Sequence, residues 1–327
     1  MKIVIVSGCT GFIGSNLAEQ LLKDGHIVVG IDDMSTGTYE NLDILEKYDN
    51  FEFVKCDITD NSDMGYLQYY IKQENHNIQV VFHAAACARI QPAIQNPERT
   101  HEVNVTGIFN ILQLMRKLKI PKIIFSSSSS IYGLKNEMPQ NEDQPADCLN
   151  PYSLSKFIGE NYIKTFCKMY GMAGVNLRYF NVWGPREFLD GDFAPIVGLF
   201  FRKLFQEKKP LTIVGDGRQL RDHTFVGDVV SANIKAMDCS TYLGGEIINI
   251  GTGKNCSILE LVDMVLKSLE LDKSHMIFVP ARPAEARDIK ADNNKAKRLL
   301  GWEPQIFLNQ ETINMHRDYY KNLWNIK

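Results

Sequence analysis

Three glycines spaced three residues apart connect an apolar strand pattern to an amphipathic helix pattern near the start of the chain. Ile3–Val6 is a short β-branched run, which predicts a buried strand of a parallel sheet. A helical pattern covers residues 11–23. Between the two, Gly8 permits a tight turn, Gly11 lets the backbone approach a pyrophosphate, and Gly14 lets the helix lie close to the strand. This order predicts a dinucleotide-binding turn; the simpler alternative is a glycine-rich turn without a ligand.

The residues around this turn extend the prediction to the rest of a dinucleotide. The first helical residues, Phe12 and Ile13, have free backbone N–H groups that can meet phosphates. Asp32 ends the second predicted strand eighteen residues after Gly14, where a carboxylate can hold an adenosine ribose, and Asp33 follows it. An acid here repels a 2′-phosphate and no arginine follows it, so the sequence favours NAD over NADP.

Two further strand ends predict cofactor contacts. Asp57-Ile58 follows the third predicted strand and could meet the adenine. Ala84-Ala85-Ala86 follows the fourth, where small side chains let a nucleotide lie against the backbone. For the alanine triplet, plain packing is an equal alternative.

Strand and helix patterns alternate through the first 180 residues. Helical patterns at 104–117 and 152–170 lie among six predicted strands, at 3–6, 27–31, 51–55, 80–83, 122–126 and 174–179. This alternation predicts an α/β fold with a Rossmann-type doubly wound parallel sheet. Later strands, at 211–214 and 246–250, are shorter and lie among Gly/Pro-rich turns. We therefore expect an NAD-binding domain at 1–180 with a return near 219–238, interleaved with a smaller mixed α/β substrate domain at 181–327.

The composition excludes several classes of protein. A net charge of -3 gives no reason to expect nucleic acid or an anionic membrane as a partner. No apolar run approaches the ~20 residues of a membrane span. Seven cysteines, an odd number without C-x-x-C spacing, argue against a disulfide framework or a zinc site. We expect a cytoplasmic protein without a metal.

Tyr152 and Lys156 form the one tyrosine–lysine pair at a spacing of four among thirteen tyrosines. Residues four apart share a helix face, so an ammonium can favour a phenolate that accepts a proton from an alcohol. An ordinary tyrosine pKa of ~10 must fall by about three units for this task near neutrality. One cation supplies ~1–3 units. The positive nicotinamide of NAD is a plausible second cation.

The motifs together resemble those of a known family. They include GCTGFIGS, CDITD, HAAA, EVNVTG, FSSSSSIYG, YSLSK, RYFN, RDHTFVGDVV, NIGTG and RPAE, and they run from Gly8 to about Pro304. The set resembles the extended short-chain dehydrogenase/reductases, and within them the nucleotide-sugar epimerases of the UDP-galactose/UDP-glucose 4-epimerase type.

This resemblance implies roles for individual residues. Ser128 corresponds to the catalytic serine or threonine, Tyr152 to the acid/base, and Lys156 to the residue that binds the nicotinamide ribose and lowers the tyrosine pKa. The implied cofactor contacts also include Asn104, Ser126 and Tyr179, and the implied substrate contacts are Ser128, Ser130, Tyr152, Asn181, Arg221, Arg282 and Glu285. For both arginines the alternative is a solvated surface charge.

The serines after Ser128 bear on the type of reaction. In 4,6-dehydratases an Asp-Glu pair follows the catalytic threonine, and UDP-glucuronate decarboxylases carry Glu at the second of these positions. Here both positions are serine, Ser129 and Ser130. We therefore expect a UDP-hexose 4-epimerase that acts through a transient 4-keto-sugar. A dehydratase, a decarboxylase, a UDP-glucuronate 4-epimerase and a non-catalytic NAD-binding sensor remain alternatives, and Ile289 leaves the sugar undecided.

The resemblance also implies a quaternary structure. Helices at 104–117 and 152–170 carry apolar faces, and in the family such helices pair across a two-fold axis in a homodimer. Covering the sheet is the alternative role. A mobile loop over the substrate is expected at 184–187 and 190–192. Arg89 could reach a uronate carboxylate, although an ordinary surface charge is the stronger reading, and His83 reads as a packed strand-end residue.

Overall fold

The computed structural model describes residues 1–188, 194–281 and 286–326. Its strands are β1 (Ile3–Ser7), β2 (Ile27–Asp32), β3 (Phe51–Lys55), β4 (Ile78–His83), β5 (Lys122–Ser128), β6 (Ala173–Tyr179), β7 (Val182–Trp183), β8 (Leu211–Val214), β9 (Leu220–Asp222), β10 (Thr224–Phe225), β11 (Gly244–Ile250), β12 (Asn255–Ser257) and β13 (Met276–Val279). Seven of them form one parallel sheet in the order β11-β6-β5-β4-β1-β2-β3. The doubly wound parallel sheet predicted from the sequence is thus confirmed.

Helices cover both faces of this sheet. They are α1 (Phe12–Lys23), α2 (Tyr39–Leu45), α3 (Asn61–Gln73), α4 (Ile90–Gln95), α5 (Pro97–His101), α6 (Gly107–Leu118), α7 (Pro151–Tyr170), α8 (Ile196–Arg202), α9 (Val226–Asp238), α10 (Ile258–Ser268), α11 (Asn294–Leu300) and α12 (Gln310–Leu323). Short π-helical segments cover Glu102–Thr106 and Lys203–Glu207, and 3₁₀ turns cover Ser129–Tyr132 and Lys273–His275. None of the helices in the described ranges is both long and apolar enough to cross a membrane.

The two helical layers explain why the strands read as continuous apolar runs. Val4 and Ile5 are neighbours on β1, point to opposite faces, and are both fully buried. Val4 packs in a core with Leu17 of α1 and Val229 of α9. Ile5 packs in a second core with Ile108 of α6 on the other face. A strand buried on both sides needs apolar residues at every position.

The strand order determines where a ligand can bind. The chain starts at β1, adds β2 and β3 on one side, and then continues with β4 on the other side. The carboxyl ends of β1 and β4 therefore meet at a topological switch point, where parallel α/β sheets form their ligand crevice. The glycine turn, the alanine triplet and the serine run all follow strands that end at this edge.

The edge strand β11 of the main sheet comes from the part of the chain that the sequence analysis assigned to the smaller domain. The sequence placed residues 246–250 in the smaller domain, whereas β11 pairs in parallel with β6, Ile248 opposite Leu177. Local sequence pattern does not encode pairing with a strand seventy residues away, so this pairing could not be predicted from the sequence. The smaller two-stranded pairs are β7 with β10, β8 with β13, and β9 with β12. The division into two domains stays a prediction.

Candidate active site

The turn after β1 has the tight geometry that the three glycines predict. Gly8 has a φ of +71°, and a Cβ on it would lie 2.7 Å from the backbone nitrogen of Ala85. A Cβ on Gly14 would lie 1.9 Å from the carbonyl oxygen of Gly8. A Cβ on Gly11 would meet only that same oxygen, at 3.3 Å. Gly8 and Gly14 are therefore required by the protein's own packing, while a Cβ on Gly11 would make one tight contact and no other within 4 Å.

Helix α1 begins at this turn without a protein cap. Its N-cap residue is Gly11, no side chain accepts a hydrogen bond from its first turn, and that turn, which contains Phe12 and Ile13, holds no acidic residue. Free N–H groups and the positive end of the helix dipole form an anion site. A pyrophosphate fits this uncapped end and the space beside Gly11.

Asp32, predicted to hold the adenosine ribose, also holds the glycine turn together. Its carboxylate oxygens accept hydrogen bonds from the backbone N–H groups of Thr10, at 3.0 Å, and Met34, at 2.9 Å. Each carboxylate oxygen has a second lone pair. Asp32 can therefore accept from a sugar hydroxyl while keeping both backbone bonds.

Arg99 joins the loops on the adenosine side of the crevice. Its guanidinium lies 3.3 Å from Asp33 and 3.5 Å from Asp57, measured from Nη2 to the nearest carboxylate oxygen. Burial opposes ionisation of Asp57, but hydrogen bonds from Thr59 and the charge of Arg99 hold the pKa of Asp57 below its ordinary value. The sequence found no arginine after Asp32; Arg99 comes from α5, with its charge already paired.

The alanine triplet continues β4 beside the glycine turn. The backbone N–H of Ala84 donates to the Ser7 carbonyl, at 3.1 Å, and all three alanines, including Ala85 and Ala86, are half-buried. Ile58, predicted to meet the adenine, is buried instead: its side chain lies beneath Gly107, and its carbonyl accepts from Asn110, at 2.9 Å. Its backbone leaves a contact through the main chain open.

Asn104 connects the loop after β4 to α7. Its amide exchanges hydrogen bonds with the backbone of Cys87, at 2.8 and 3.0 Å, and donates to the Ser155 hydroxyl, at 2.9 Å. Ser155 lies between Tyr152 and Lys156. The described contacts of Asn104 thus connect this loop to α7, and a cofactor contact stays a prediction.

Tyr152 and Ser128 lie together at the carboxyl ends of β5 and β6. Pro151 and an Asn150 capping box start α7, which places the half-buried Tyr152 in its first turn. Burial raises the pKa of the Tyr152 phenol, and a hydrogen bond with Ser128 opposes that rise. The Ser128 hydroxyl also donates to Ser130, at 3.0 Å. The expected lowering of the tyrosine pKa is therefore not achieved by these protein groups.

Lys156 points into the same crevice, one helical turn beyond Tyr152. Its ammonium donates to the Ser126 carbonyl, at 2.8 Å, and lies 6.0 Å from the centre of the Tyr152 ring. Burial lowers the pKa of Lys156 to about 8, opposed by Cys87 and Glu160. His83 behind it stacks on Phe125 at 5.7 Å, and burial lowers its pKa to about 3. The packed, neutral role predicted for His83 fits this geometry.

Tyr179 forms part of the crevice floor. Its hydroxyl accepts from Ser126, at 3.3 Å, and from Asn233 of α9, at 2.8 Å. Burial raises the pKa of Tyr179 to about 12. Tyr179 and Ser126 are therefore held in place next to Lys156, and burial disfavours the ionised form of the Tyr179 phenol.

Some of the predicted substrate-binding residues lie within the described part of the chain. Asn181, at a φ of +28°, donates to the Asp222 carbonyl, at 2.9 Å. Arg221 donates to the carbonyls of Leu220, at 3.0 Å, and Arg287, at 2.6 Å. Arg282 and Glu285 lie outside the described residues, as does the 190–192 part of the predicted loop. Their contacts with a substrate stay predictions.

The described part of that loop is tied to its surroundings. Glu187 is buried and accepts from the N–H groups of Gly184, at 2.7 Å, and Gly198, at 2.8 Å. Arg89 stacks over the Phe188 ring, 4.2 Å from its centre, and donates to its carbonyl, at 3.5 Å. These contacts connect residues 184–188 to the rest of the protein, and the predicted mobility of the loop stays a prediction.

Comparison with known proteins identifies the family. A family model described as GDP-mannose 4,6 dehydratase matches residues 5–315. The chain belongs to this family. The UDP-glucose 4-epimerase of Mycolicibacterium smegmatis is 35% identical over 319 residues, which cover 97% of this chain and 98% of that protein.

Solved structures of members resemble the whole chain. UDP-glucose 4-epimerase of Thermotoga maritima with UDP-glucose has a TM-score of 0.90 and 31% identity, covering 98% of this chain and 99% of that one. UDP-glucuronic acid 4-epimerase of Bacillus cereus, in complex with UDP-glucuronic acid and NAD, has a TM-score of 0.88, 31% identity and the same coverage. The predicted resemblance to extended short-chain dehydrogenase/reductases and nucleotide-sugar epimerases is confirmed.

Sequence reasoning missed a buried ion pair that joins α7 to β6. Glu160 of α7 and Arg178 of β6 are each 2% exposed and form a bidentate pair, at 2.7 and 2.8 Å. The signal for Glu160 was present, because it lies four residues after Lys156 on the same helix face. Arg99 had no such signal, since its partners lie 42 and 66 residues away.

Proposed function

We propose that this chain is an NAD-dependent nucleotide-sugar epimerase, most specifically a UDP-hexose 4-epimerase. The observation that carries the proposal is the grouping of Ser128, Tyr152 and Lys156 at the switch edge of the sheet, with the glycine turn beside them. The neighbouring Ser129 and Ser130 lack the carboxylates that a dehydratase needs to eliminate water. The similarity to UDP-glucose 4-epimerases over nearly the full chain supports the same conclusion.

NAD fits the crevice, and its placement on this chain is part of the proposal. The uncapped end of α1 would hold the pyrophosphate, Asp32 the adenosine ribose, and Lys156 the nicotinamide ribose. The loops that carry Asp33 and Asp57 would enclose the adenine, joined by Arg99. When bound, NAD supplies a hydride acceptor and a positive charge beside Tyr152.

The protein groups then move one proton. The Tyr152 phenolate takes the proton from the sugar 4-hydroxyl, with Ser128 hydrogen-bonded to the same oxygen, as the carbon 4 hydride leaves. The product is a 4-keto-sugar. After the ketone presents its other face, the hydride returns and Tyr152 gives the proton back to the oxygen. Atoms and electrons balance over the cycle, so no outside reductant is consumed.

Removing Tyr152's hydroxyl tests the catalytic assignment. Tyr152→Phe should lower turnover of UDP-glucose and UDP-galactose by about 10²–10⁴-fold, the range for a lost acid/base group. Tyr69→Phe, on the exposed face of α3, is the matched control and should turn over normally. Proton NMR of the sugar, without added NAD, measures the interconversion. Unchanged activity in Tyr152→Phe would disprove the mechanism.

The same assay decides the sugar. UDP-glucose, UDP-N-acetylglucosamine and UDP-glucuronate are compared side by side. We expect the uncharged sugars to react best, because Arg89 is engaged with Phe188. Preferential turnover of UDP-glucuronate would make the chain a uronate epimerase, and a 4-keto-6-deoxy product would make it a dehydratase.

A homodimer through α6 and α7 is also proposed. Phe109 of α6 lies 5.7 Å from Tyr162 and 6.2 Å from Phe166, ring centre to ring centre, and Leu154 and Tyr170 are exposed on the same pair of helices. Phe109, Leu154 and Tyr170 are the exposed members of this group, whereas Phe166 is buried, and exposed apolar side chains that lie together are typical of a subunit interface. Phe109→Glu should give a monomer by light scattering, whereas Tyr66→Glu on α3 should not. A monomeric parent protein would overturn this proposal.

The cytoplasm is the proposed location. All seven cysteines are free in the structure, as expected in a reducing compartment. No group of residues in the described ranges has the composition of a metal site.

A further inference from the structure

The Glu160–Arg178 pair is more deeply buried than an ordinary salt bridge. Both side chains are 2% exposed, and the guanidinium donates through Nε and Nη2 to the two carboxylate oxygens, at 2.8 and 2.7 Å. At this depth neither charge is screened by water. Loss of one partner leaves the other as an uncompensated buried charge.

This pair contacts each element that carries a catalytic group. Glu160 lies one turn after Lys156 and two turns after Tyr152 on α7. Ser127, between Ser126 and Ser128 on β5, donates to the Glu160 carboxylate, at 2.6 Å. Arg178 precedes Tyr179 on β6. Glu160 therefore bonds to the two strands whose ends form the crevice floor.

We propose that Glu160 and Arg178 are positioning residues that fix α7 against β5 and β6 and balance the charge around Lys156. The proposal rests on the catalytic roles proposed above for Tyr152 and Lys156. It adds that the Glu160 carboxylate favours the charged form of Lys156 against the effect of burial, and that Arg178 compensates this carboxylate. Glu160 supplies a carboxylate near Lys156, and Arg178 prevents that carboxylate from acting alone.

The groups facing Lys156 come from three elements. They are Tyr152 and Glu160 on α7, His83 on β4, and Cys87 in the loop after β4. Burial keeps His83 neutral and raises the pKa of the Cys87 thiol. Around Arg178, burial likewise raises the pKa values of the Tyr132 phenol and the Cys148 thiol. Among these described groups, Glu160 is the charged one that acts on Lys156, and Arg178 is the buried countercharge of Glu160.

The proposal predicts opposite effects for the two partners. Glu160→Gln removes a negative charge and leaves Arg178, so the pKa of Lys156 falls. Arg178→Met leaves Glu160 alone, so the pKa of Lys156 rises. Glu160→Gln with Arg178→Met restores neutrality, so the pKa returns toward its wild-type value. A role in packing alone would give no such change of sign.

NMR of carbon-labelled lysine measures this directly. The Lys156 signal is identified as the one missing in Lys156→Met, and it is titrated in the protein as purified. We expect each single variant to shift the midpoint by about one unit, at the lower end for a nearby charge. Asp228→Asn, another buried carboxylate, is the matched control and should leave the midpoint unchanged.

Three results would overturn the proposal: shifts of the same sign, no shift in folded single variants, or an equal shift in the control. If either single variant fails to fold by circular dichroism, the double variant decides. It must titrate near the wild-type midpoint, with kcat lowered at every pH because α7 is no longer fixed. A displaced midpoint in the double variant refutes the charge balance.

This titration needs no turnover. Opposite shifts without epimerisation of any UDP-sugar would leave this inference standing and remove the proposed function. Epimerisation with an unshifted Lys156 signal would do the reverse.

Discussion

Substitutions in the glycine turn distinguish a glycine that the protein's own packing requires from a glycine that dinucleotide binding requires. At Gly14, a substituted Cβ would lie 1.9 Å from the Gly8 carbonyl oxygen, whereas an ordinary contact begins at 3.4 Å. The start of α1 must therefore move by about 1.5 Å away from β1 in Gly14→Ala. Overpacking of this kind costs at least about 1–3 kcal/mol of folding free energy.

Gly11 provides the contrasting case. Its φ is -77°, which alanine adopts without strain, and its Cβ would meet the Gly8 oxygen at a tight but tolerable 3.3 Å. An alanine at a helix N-cap costs ~1 kcal/mol or less relative to glycine. The methyl group would, however, occupy the space by which a pyrophosphate reaches the helix N–H groups. Loss of one charge-assisted hydrogen bond costs about 1.5–3 kcal/mol, or roughly tenfold to a hundredfold in affinity.

The assay pairs two measurements on each variant. Isothermal titration calorimetry gives the Kd for NAD of protein from which cofactor has been removed, and urea unfolding gives stability. Gly11→Ala should lose affinity with little loss of stability, and Gly14→Ala should lose both. The reasoning is refuted if Gly11→Ala binds NAD as tightly as the parent, because the pyrophosphate would then not lie beside Gly11.

Three further predictions concern the remaining groups. The value of kcat/KM should fall as the pH rises through about 8. Lys156, with a pKa of about 8, loses its charge there and no longer favours the Tyr152 phenolate. A pH–rate profile in which kcat/KM falls only above pH 10 would contradict this. Ser128→Ala should lower kcat by about 10²-fold while urea unfolding stays close to the parent, since the half-buried hydroxyl has only local partners. Arg178→Met should lower the free energy of unfolding by about 3–5 kcal/mol in the same experiment. Lys2→Ala, at the exposed Lys2–Asp238 pair, should lower it by ~1 kcal/mol or less. Equal losses would show that burial does not make the Glu160–Arg178 pair more important for stability.

The sequence predicted the parts of this molecule that depend on neighbouring residues. The strand before Gly8, the helix after it and the Tyr152–Lys156 face all follow from local period and spacing. Their placement at one edge follows from the rule that parallel strands end together, so the position of the candidate site was predictable as well.

Contacts between distant residues were not predictable in this way. The approach of Arg99 to Asp33 requires the loop after β2 and helix α5 to meet, and nothing in either segment specifies the other. The rise that burial causes in the pKa of Tyr152 was not predictable either, because the amount of burial around a phenol depends on the whole crevice. The spacing of Tyr152 and Lys156 predicts which charges meet but not how much water they lose.

The pairing of β11 with β6 limits where this chain can be cut or joined to a relative. A fragment ending at residue 180 would lose β11 and α9, leaving one edge of β6 with unpaired backbone groups and uncovering apolar side chains such as Val4 and Leu17. An open apolar edge of that kind invites aggregation. Exchange of the substrate-binding region between relatives, in the laboratory or in evolution, therefore requires two crossovers that leave residues 226–250 with the parent sheet. A single junction near residue 180 would take β11 and α9 from the other parent, so the sheet would have to be built from two parents' strands.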